Sequence, residues 1–200
     1  MAVPPRRAYI PGTYFVTSRT WESRKLFIKP PVCEIVMEVL FHYRDQQNYL
    51  LHSFVLMPDH IHLILTPGPD ISLERAVQFV KGGSARRISQ TLNYRLPVWQ
   101  RGYTDHRIRD AQHYQNHLRY IEENPVKAGL ASSAKAYPWS SACGRFPIDE
   151  PPQGLKPLAN TETFGTVETV PLQLLKNGHC ESPVSRKRFR KCKGMASESV

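Results

Sequence analysis

Two strand-like runs and a short link make up YLLHSFVLMPDHIHLILT, residues 49–66. Both runs are dense in apolar side chains, several of them β-branched or aromatic, and the link Met57-Pro58-Asp59 suits a tight connection. The stretch therefore predicts an antiparallel hairpin of Tyr49–Leu56 and His60–Thr66.

The triplet His60-Ile61-His62 in the second run has two interpretations. Alternate side chains of a strand share a face, so both imidazoles point the same way. Two neutral imidazoles side by side suit a divalent metal, but a half-buried strand also presents polar residues to water. Taken alone, the triplet fits the solvated strand better.

Further elements are predicted on both sides of the hairpin. Tyr14–Ser18 follows a Pro-Gly turn and predicts the first strand. Pro30-Pro31 opens a helix that runs to about Gln47, and Ser72 caps a second helix of about twenty residues. Inside that second helix, Gly82-Gly83 either bends the helix or lets another backbone approach closely.

The order of the elements predicts the fold class. A strand within Val98–Arg109 is followed by a helix from Ala111 to Asn124, because the residue before Pro125 is pushed out of the helical conformation. The resulting β-α-β-β-α-β-α order predicts an α+β domain of the ferredoxin-like or RRM-like type, an antiparallel sheet with helices packed on one face.

Composition indicates the kind of partner and compartment. The chain has 27 Lys plus Arg against 17 Asp plus Glu, a net charge of +10, which favours nucleic acid. No apolar run is long enough for a membrane span, and the N-terminus lacks the apolar core of a signal peptide, so we expect a soluble intracellular protein. The four cysteines form no C-x-x-C pair, which predicts neither a zinc ribbon nor a disulfide framework.

Composition changes near Arg145. Residues 1–145 carry regular apolar patterns, whereas 146–200 are rich in Pro, Thr, Ser and Lys, so we predict one domain followed by a mostly disordered basic tail. The basic run Arg186–Lys191 is either a nonspecific phosphate contact or simply a solvated segment.

A second cluster of functional side chains lies on the last predicted helix. His113, His117, Tyr120 and Asn124 follow one another at spacings of four, three and four, and therefore share one stripe. Such a stripe fits a site wall and a solvated face equally well. His113 and His117 also have the spacing of a zinc pair, although no general-base Glu accompanies them.

The two clusters together indicate one chemistry. A phenol such as that of Tyr120 attacks a phosphodiester when a bound metal makes the phosphorus electrophilic and the geometry is in line. His60 and His62 would hold Mg or Mn, with Asn124 as an oxygen ligand. The product would be a phosphotyrosine link and a free hydroxyl, which keeps the bond energy for rejoining without a nucleotide cofactor.

Six stretches in a set order carry a resemblance to a known family. The chain resembles the single-tyrosine HUH transposases, and among them the REP-associated tyrosine transposases. The stretches are YFVT (14–17), MPDHIH (57–62), WQRGY (99–103), DHRIR (105–109), YIEENPVKAGL (120–130) and YPWSS (137–141).

The resemblance implies an RRM-like fold, hairpin-bearing single-stranded DNA as substrate, and Mg or Mn at the histidine pair. His60 and His62 match the metal-binding histidines, Tyr120 matches the nucleophile, and Asn124 falls at the third, amide-bearing ligand. Tyr114 is the rival nucleophile, but it lies off the Tyr120 face and outside the family's Tyr-Ile-x-x-Asn-Pro pattern.

The activity implied is that of a metal-dependent transposase, an endonuclease and strand transferase acting through a 5′-phosphotyrosine in the bacterial cytoplasm, at the nucleoid, as a monomer or homodimer. One alternative is a domesticated protein that binds palindromic DNA without cutting it. Another is an RNA-binding module, because an RRM-like sheet is also an RNA platform.

DNA binding calls for cationic and flat side chains. Trp99 and Tyr103 are predicted either to stack on bases or to be core aromatics, and Trp139 is predicted to be a core plug. The predicted phosphate contacts, each of which also fits an ordinary surface charge, are Arg19, Lys81, Arg86, Arg87, Arg107 and Arg109.

Overall fold

The structure, a computed structural model, describes residues 11–95 and 97–155. Its strands are β1 (Tyr14–Arg19), β2 (Tyr49–Met57), β3 (His60–Pro67) and β4 (Thr104–Arg107). Its α-helices are α1 (Pro30–Asp45), α2 (Leu73–Leu92) and α3 (Ala111–Lys127). The strands form one antiparallel sheet in the order β2-β3-β1-β4, which confirms the predicted α+β fold class.

Both faces of the sheet carry apolar side chains that pack against helices. On one face, side chains such as Val16 and Leu63 pack with α1 and α2 in the larger core. On the other face, Phe15 and Ile64 pack with Ile121 of α3 in a smaller core. Helix α3 therefore lies across the sheet from α1 and α2, not with them on one face, because the apolar strand residues of the second face also need cover.

Helices α1 and α2 approach each other closely at one glycine. A Cβ atom on Gly83 would lie 2.8 Å from side-chain atoms of Val39 and Tyr43, whereas one on Gly82 would meet nothing nearer than 3.9 Å. The glycine pair is predicted either to bend the helix or to allow a close approach. Gly83 has the second role, since it lets α1 pack closely against α2. At the start of α2, the Ser72 hydroxyl accepts a hydrogen bond from the Arg75 N–H, which confirms the predicted cap.

One predicted element end is wrong. Helix α3 continues to Lys127 with Pro125 inside it, because the proline gives up only its own N–H bond while its carbonyl still accepts from the Leu130 N–H at 2.9 Å. The fourth strand, Thr104–Arg107, lies within the predicted range Val98–Arg109, and the chain up to Gly102, which has φ +72°, forms a loop.

The folded part extends beyond Arg145. Phe146 stacks on Phe41 with ring centroids 5.4 Å apart. The Asp149 carboxylate accepts two hydrogen bonds from the Arg44 guanidinium, at 2.6 and 3.0 Å, and one from the Leu51 N–H at 2.7 Å. Residues 146–155 therefore pack on the domain, ten residues past the predicted boundary.

The rest of the predicted tail, residues 156–200, lies outside the described residues, as does the basic run Arg186–Lys191. Its disorder stays a prediction.

Among the described helices, none has the length and apolar character needed to cross a bilayer. Trp139 is half-buried and packs against both cores, which agrees with its predicted role as a plug.

Candidate active site

The strand register brings the histidine pair to the α3 face of the sheet. On the neighbouring strand β1, Thr17 lies opposite His62 and Arg19 lies opposite His60. The two imidazole centroids are 4.7 Å apart with an interplanar angle of 76°. Both rings therefore belong to one small site, as the alternation of strand side chains predicts.

His62 is buried and has one ring nitrogen unused. Its Nδ1 lies 2.8 Å from the Thr17 hydroxyl, and its buried Nε2 has no hydrogen-bond partner among the described residues. The pKa of His62 is lowered to about 3, mainly by burial and to a smaller extent by its neighbours His60 and Arg19. The ring is therefore neutral, with a lone pair to offer a cation.

His60 has a carboxylate partner. Its Nδ1 donates to the Asp59 carboxylate over 2.6 Å, which directs Nε2 away from that partner. An imidazole that donates one N–H to a carboxylate and keeps the other nitrogen free is the usual arrangement of a metal-binding histidine. Asp59 is thus a site residue that the sequence prediction missed, although it precedes His60 directly.

Helix α3 places Tyr120 against this pair. The Tyr120 ring lies 5.2 Å from the His62 ring, edge to face, and 5.9 Å from the ring of Phe15. Tyr120 is 45% exposed, so a substrate can reach it. Asn124 is half-buried one turn further along the same helix, about 6 Å along its axis.

Tyr114, the rival nucleophile, is buried in the smaller core. Burial raises the pKa of its phenol to about 12. The structure therefore brings together His60, His62 and Tyr120 and leaves Tyr114 out.

Phe15 is a second residue that the sequence prediction left without a role. Its ring is stacked between His62 at 5.2 Å and His117 at 4.4 Å. The Nε2 atoms of His117 and His113 are 2.9 Å apart, and His106 of β4 stacks on His117 at 6.2 Å. The strand register was the missing signal, since it alone places Phe15 and His106 on the histidine face.

The residues present fit a divalent metal. The orphaned Nε2 of His62 is the decisive observation, because a buried polar atom without a partner is costly unless it has a ligand. In residues 11–95 and 97–155 no group of three or more His, Cys, Asp or Glu side chains forms a metal site. Two imidazoles and the Asn124 amide would leave positions open for substrate and water, as a catalytic centre requires.

The predicted phosphate contacts are scattered. Arg19 lies beside the site, whereas Lys81, Arg86 and Arg87 belong to α2, which packs on the opposite face of the sheet. Lys81 Nζ donates to the carbonyls of Gln100, at 2.9 Å, and Gly102. Lys81 thus holds a loop, and burial lowers its pKa.

Two other arginines of the predicted set are also engaged by the protein. Arg87 forms an exposed ion pair with Glu38 at 2.8 Å, and Arg107 donates to the Pro11 carbonyl at 3.0 Å. Arg86 and Arg109 are exposed. The contacts of these arginines with DNA stay predictions.

The two predicted stacking rings differ in exposure. Trp99 is 8% exposed, belongs to the larger core and donates its indole N–H to the Ser84 hydroxyl at 2.9 Å. Of its two predicted roles, Trp99 therefore has that of a core aromatic, because a buried ring has no free face for a base. Tyr103 is half-buried, and burial raises its pKa to about 12.

A ferredoxin-like sheet that presents a His-x-His pair to a helix bearing a tyrosine is the arrangement of the single-tyrosine HUH transposases. The family model described as "Transposase IS200 like" matches residues 13–124, and the chain belongs to that family.

Two curated proteins are similar in sequence. The REP-associated tyrosine transposase of Escherichia coli (strain K12) is 26% identical over 151 residues, which cover 72% of this chain and 88% of that protein. A protein of Haemophilus influenzae (strain ATCC 51907 / DSM 11121 / KW20 / Rd), provisionally named as a REP-associated tyrosine transposase, is 34% identical over 99 residues. The match covers 44% of this chain and 56% of that relative.

A solved structure of a REP-associated tyrosine transposase bound to a REP hairpin shares the fold, with a TM-score of 0.59 and 24% identity. The match covers 79% of this chain and 96% of that one.

Proposed function

We propose that this chain cuts and rejoins hairpin-bearing single-stranded DNA, using Tyr120 as nucleophile and a divalent metal at His60 and His62. The observation that carries the proposal is the contact between the exposed Tyr120 ring and the His62 ring, whose Nε2 is unused. A nucleophile and an electrophile-activating site then meet at one place on the sheet.

The proposed step is a transesterification. The phenolic oxygen of Tyr120 attacks the phosphorus, a phosphorus–tyrosine oxygen bond forms, and the bond from phosphorus to the 3′ oxygen breaks. The phenol loses one proton and the departing 3′ oxygen gains one, so the balance of protons is unchanged. The DNA is left joined to Tyr120 through its 5′ phosphate, and attack by another 3′ hydroxyl reverses the step.

The chain's own residues prepare this step. Thr17 and Asp59 each engage one histidine Nδ1, which leaves the Nε2 atoms of His62 and His60 for the metal. The amide oxygen of Asn124 would be the third ligand. When bound, Mg²⁺ or Mn²⁺ would polarise the phosphate oxygens and make the phosphorus more electrophilic.

The net charge and the shared fold support hairpin-bearing DNA as the proposed substrate. The net charge of +10 suits a polyanion, and the fold is that of a relative solved with a hairpin bound. A chain that bound hairpins without cutting them would share these properties, so cleavage must be measured directly.

The test is a covalent adduct assay. The protein is incubated with Mn²⁺ and a labelled pool of hairpin oligonucleotides with randomised single-stranded flanks, then run on a denaturing gel. We expect a protein–DNA band that disappears in Tyr120→Phe and persists in Tyr114→Phe, the matched control. Cleavage by Tyr120→Phe at the wild-type rate would refute the nucleophile, and hairpin binding without an adduct under either metal would favour the non-cleaving binder.

A further inference from the structure

A polar groove opens beside the histidine pair. The proposed cleavage reaction gives most of the residues that line this groove no role. Its volume is about 230 Å³, and we call it the basic groove. It shares Thr17, the partner of His62, and Arg19, the register partner of His60, with the candidate active site. The side chains that line it are Thr17, Arg19, Gln100, Arg101, Tyr103 and Thr104.

The outer wall of the groove, residues 100–102, is held in place from two sides. The Gln100 N–H donates to the Arg19 carbonyl at 2.9 Å, which ties the loop to β1. Lys81 Nζ donates to the carbonyls of Gln100 and Gly102, which ties the loop to α2. Because Gly102 has φ +72°, the loop turns where a residue with a side chain would be strained. The groove is therefore preformed.

The chemistry of the lining favours a phosphate diester. Two guanidinium groups and two threonine hydroxyls are donors suited to phosphate oxygens, and neither Arg19 nor Arg101 pairs with a carboxylate among the described residues. The volume lies below the roughly 300 Å³ at which pockets for drug-sized ligands begin, which favours a short piece of a DNA backbone over a whole small-molecule ligand. A backbone phosphate with its sugar fits, with the Tyr103 ring as the apolar wall.

We propose that the basic groove binds the backbone of the nucleotide next to the one cut at Tyr120, with Arg101 contacting its phosphate and Lys81 positioning the loop. The assignment of this neighbour rests on the proposed function, because the groove meets the active site at Thr17 and Arg19. Lys81 then acts on DNA only through the loop.

Salt-dependent binding tests the role of Arg101. The probe is a fluorescent single-stranded oligo-dT of about 12 nucleotides, whose length is within the site sizes of single-strand binding folds. We expect Arg101→Gln to weaken binding about tenfold and to make the slope of log affinity against log salt less negative by about 0.7. Arg75→Gln removes the same charge from an exposed position on α2 and should leave the slope unchanged.

A double variant tests the role of Lys81. If Lys81 only holds the loop, Lys81→Met weakens binding, and adding Arg101→Gln to it weakens binding little further, because both act on one contact. Additive losses would instead mean that Lys81 contacts the DNA itself and would overturn the positioning role. Circular dichroism and thermal midpoints verify that each variant is folded.

The outcomes separate the two proposals. If Arg101→Gln matches Arg75→Gln in affinity and slope, the groove proposal fails, and the wild-type adduct still supports cleavage at Tyr120. If the wild type forms no adduct, cleavage fails, and the oligo-dT measurements still decide whether the groove binds a DNA backbone.

Discussion

In the candidate site, two side chains that are not proposed as metal ligands orient the imidazole rings of His60 and His62. Thr17 and Asp59 take up the Nδ1 atoms of His62 and His60, so that each ring keeps Nε2 free. Leaving the buried Nε2 of His62 without a partner costs about 1–3 kcal/mol, a cost that a bound cation would recover. Keeping this nitrogen free therefore slightly lowers the stability of the protein without metal.

Removing either neighbour should weaken metal binding. We expect Thr17→Val and Asp59→Asn each to lower Mn²⁺ affinity about 10- to 100-fold, because the ring orientation and tautomer are no longer held. Electron paramagnetic resonance of free Mn²⁺ measures this without any DNA. Thr13→Val is the control, since the Thr13 hydroxyl bonds Thr66 and not a histidine, and equal losses in the control would contradict the prediction.

The three helices cover different faces of the sheet and have different roles. Helices α1 and α2 bury the larger core, and α3 covers the other face while carrying Tyr120 to the histidines. Because Phe15, Val55, Met57 and Ile64 give the second face an apolar patch of its own, a helix on each side is stable, and α3 does not have to complete the main core.

The contact between α1 and α2 depends on one glycine. We expect Gly83→Ala to destabilise the protein by about 1–3 kcal/mol, because its Cβ would be forced against Val39 and Tyr43. Gly82→Ala, one residue earlier on the same helix, has room and should instead stabilise it by up to about 1 kcal/mol. Urea unfolding measures both, and equal effects would contradict the close approach.

In the folded unit, one chain places the proposed nucleophile against its own proposed metal-binding histidines. Tyr120 contacts His62 of the same chain, so we expect no rescue when Tyr120→Phe is mixed with His62→Ala. The adduct assay on the mixture measures this. Adduct formation near the wild-type level would mean that the tyrosine helix serves the histidines of a second protomer.

The segment after Arg145 is held on the domain by the ion pair between Asp149 and Arg44, which low pH should weaken. Burial alone would raise the pKa of Asp149, but hydrogen bonds from Arg44 and from the Leu51 N–H outweigh it, and the pKa lies below its ordinary value. The carboxylate therefore stabilises the fold above the pKa of an unfolded Asp, about 4, and this contribution is lost as pH falls through the lower folded value.

Replacing this carboxylate should reproduce the loss. We expect Asp149→Asn to cost about 1–3 kcal/mol near pH 7 and progressively less as the pH is lowered below about 4. Urea unfolding of both proteins across this range measures the difference. A difference that stays constant with pH would mean that the charge of Asp149 contributes nothing.

Local pattern was enough to predict most elements, the shared face of His60 and His62, the stripe that holds Tyr120 and Asn124, and the family resemblance. Each of these depends on residues within a few positions of one another, or on motifs in a set order. Four features were decided only by the tertiary structure. They are the free Nε2 of His62, the covered second face of the sheet, the loop held by Lys81 and the packing of residues 146–155. They depend on contacts such as Thr17 with His62, 45 residues apart, and Arg44 with Asp149, 105 apart, which no local period encodes.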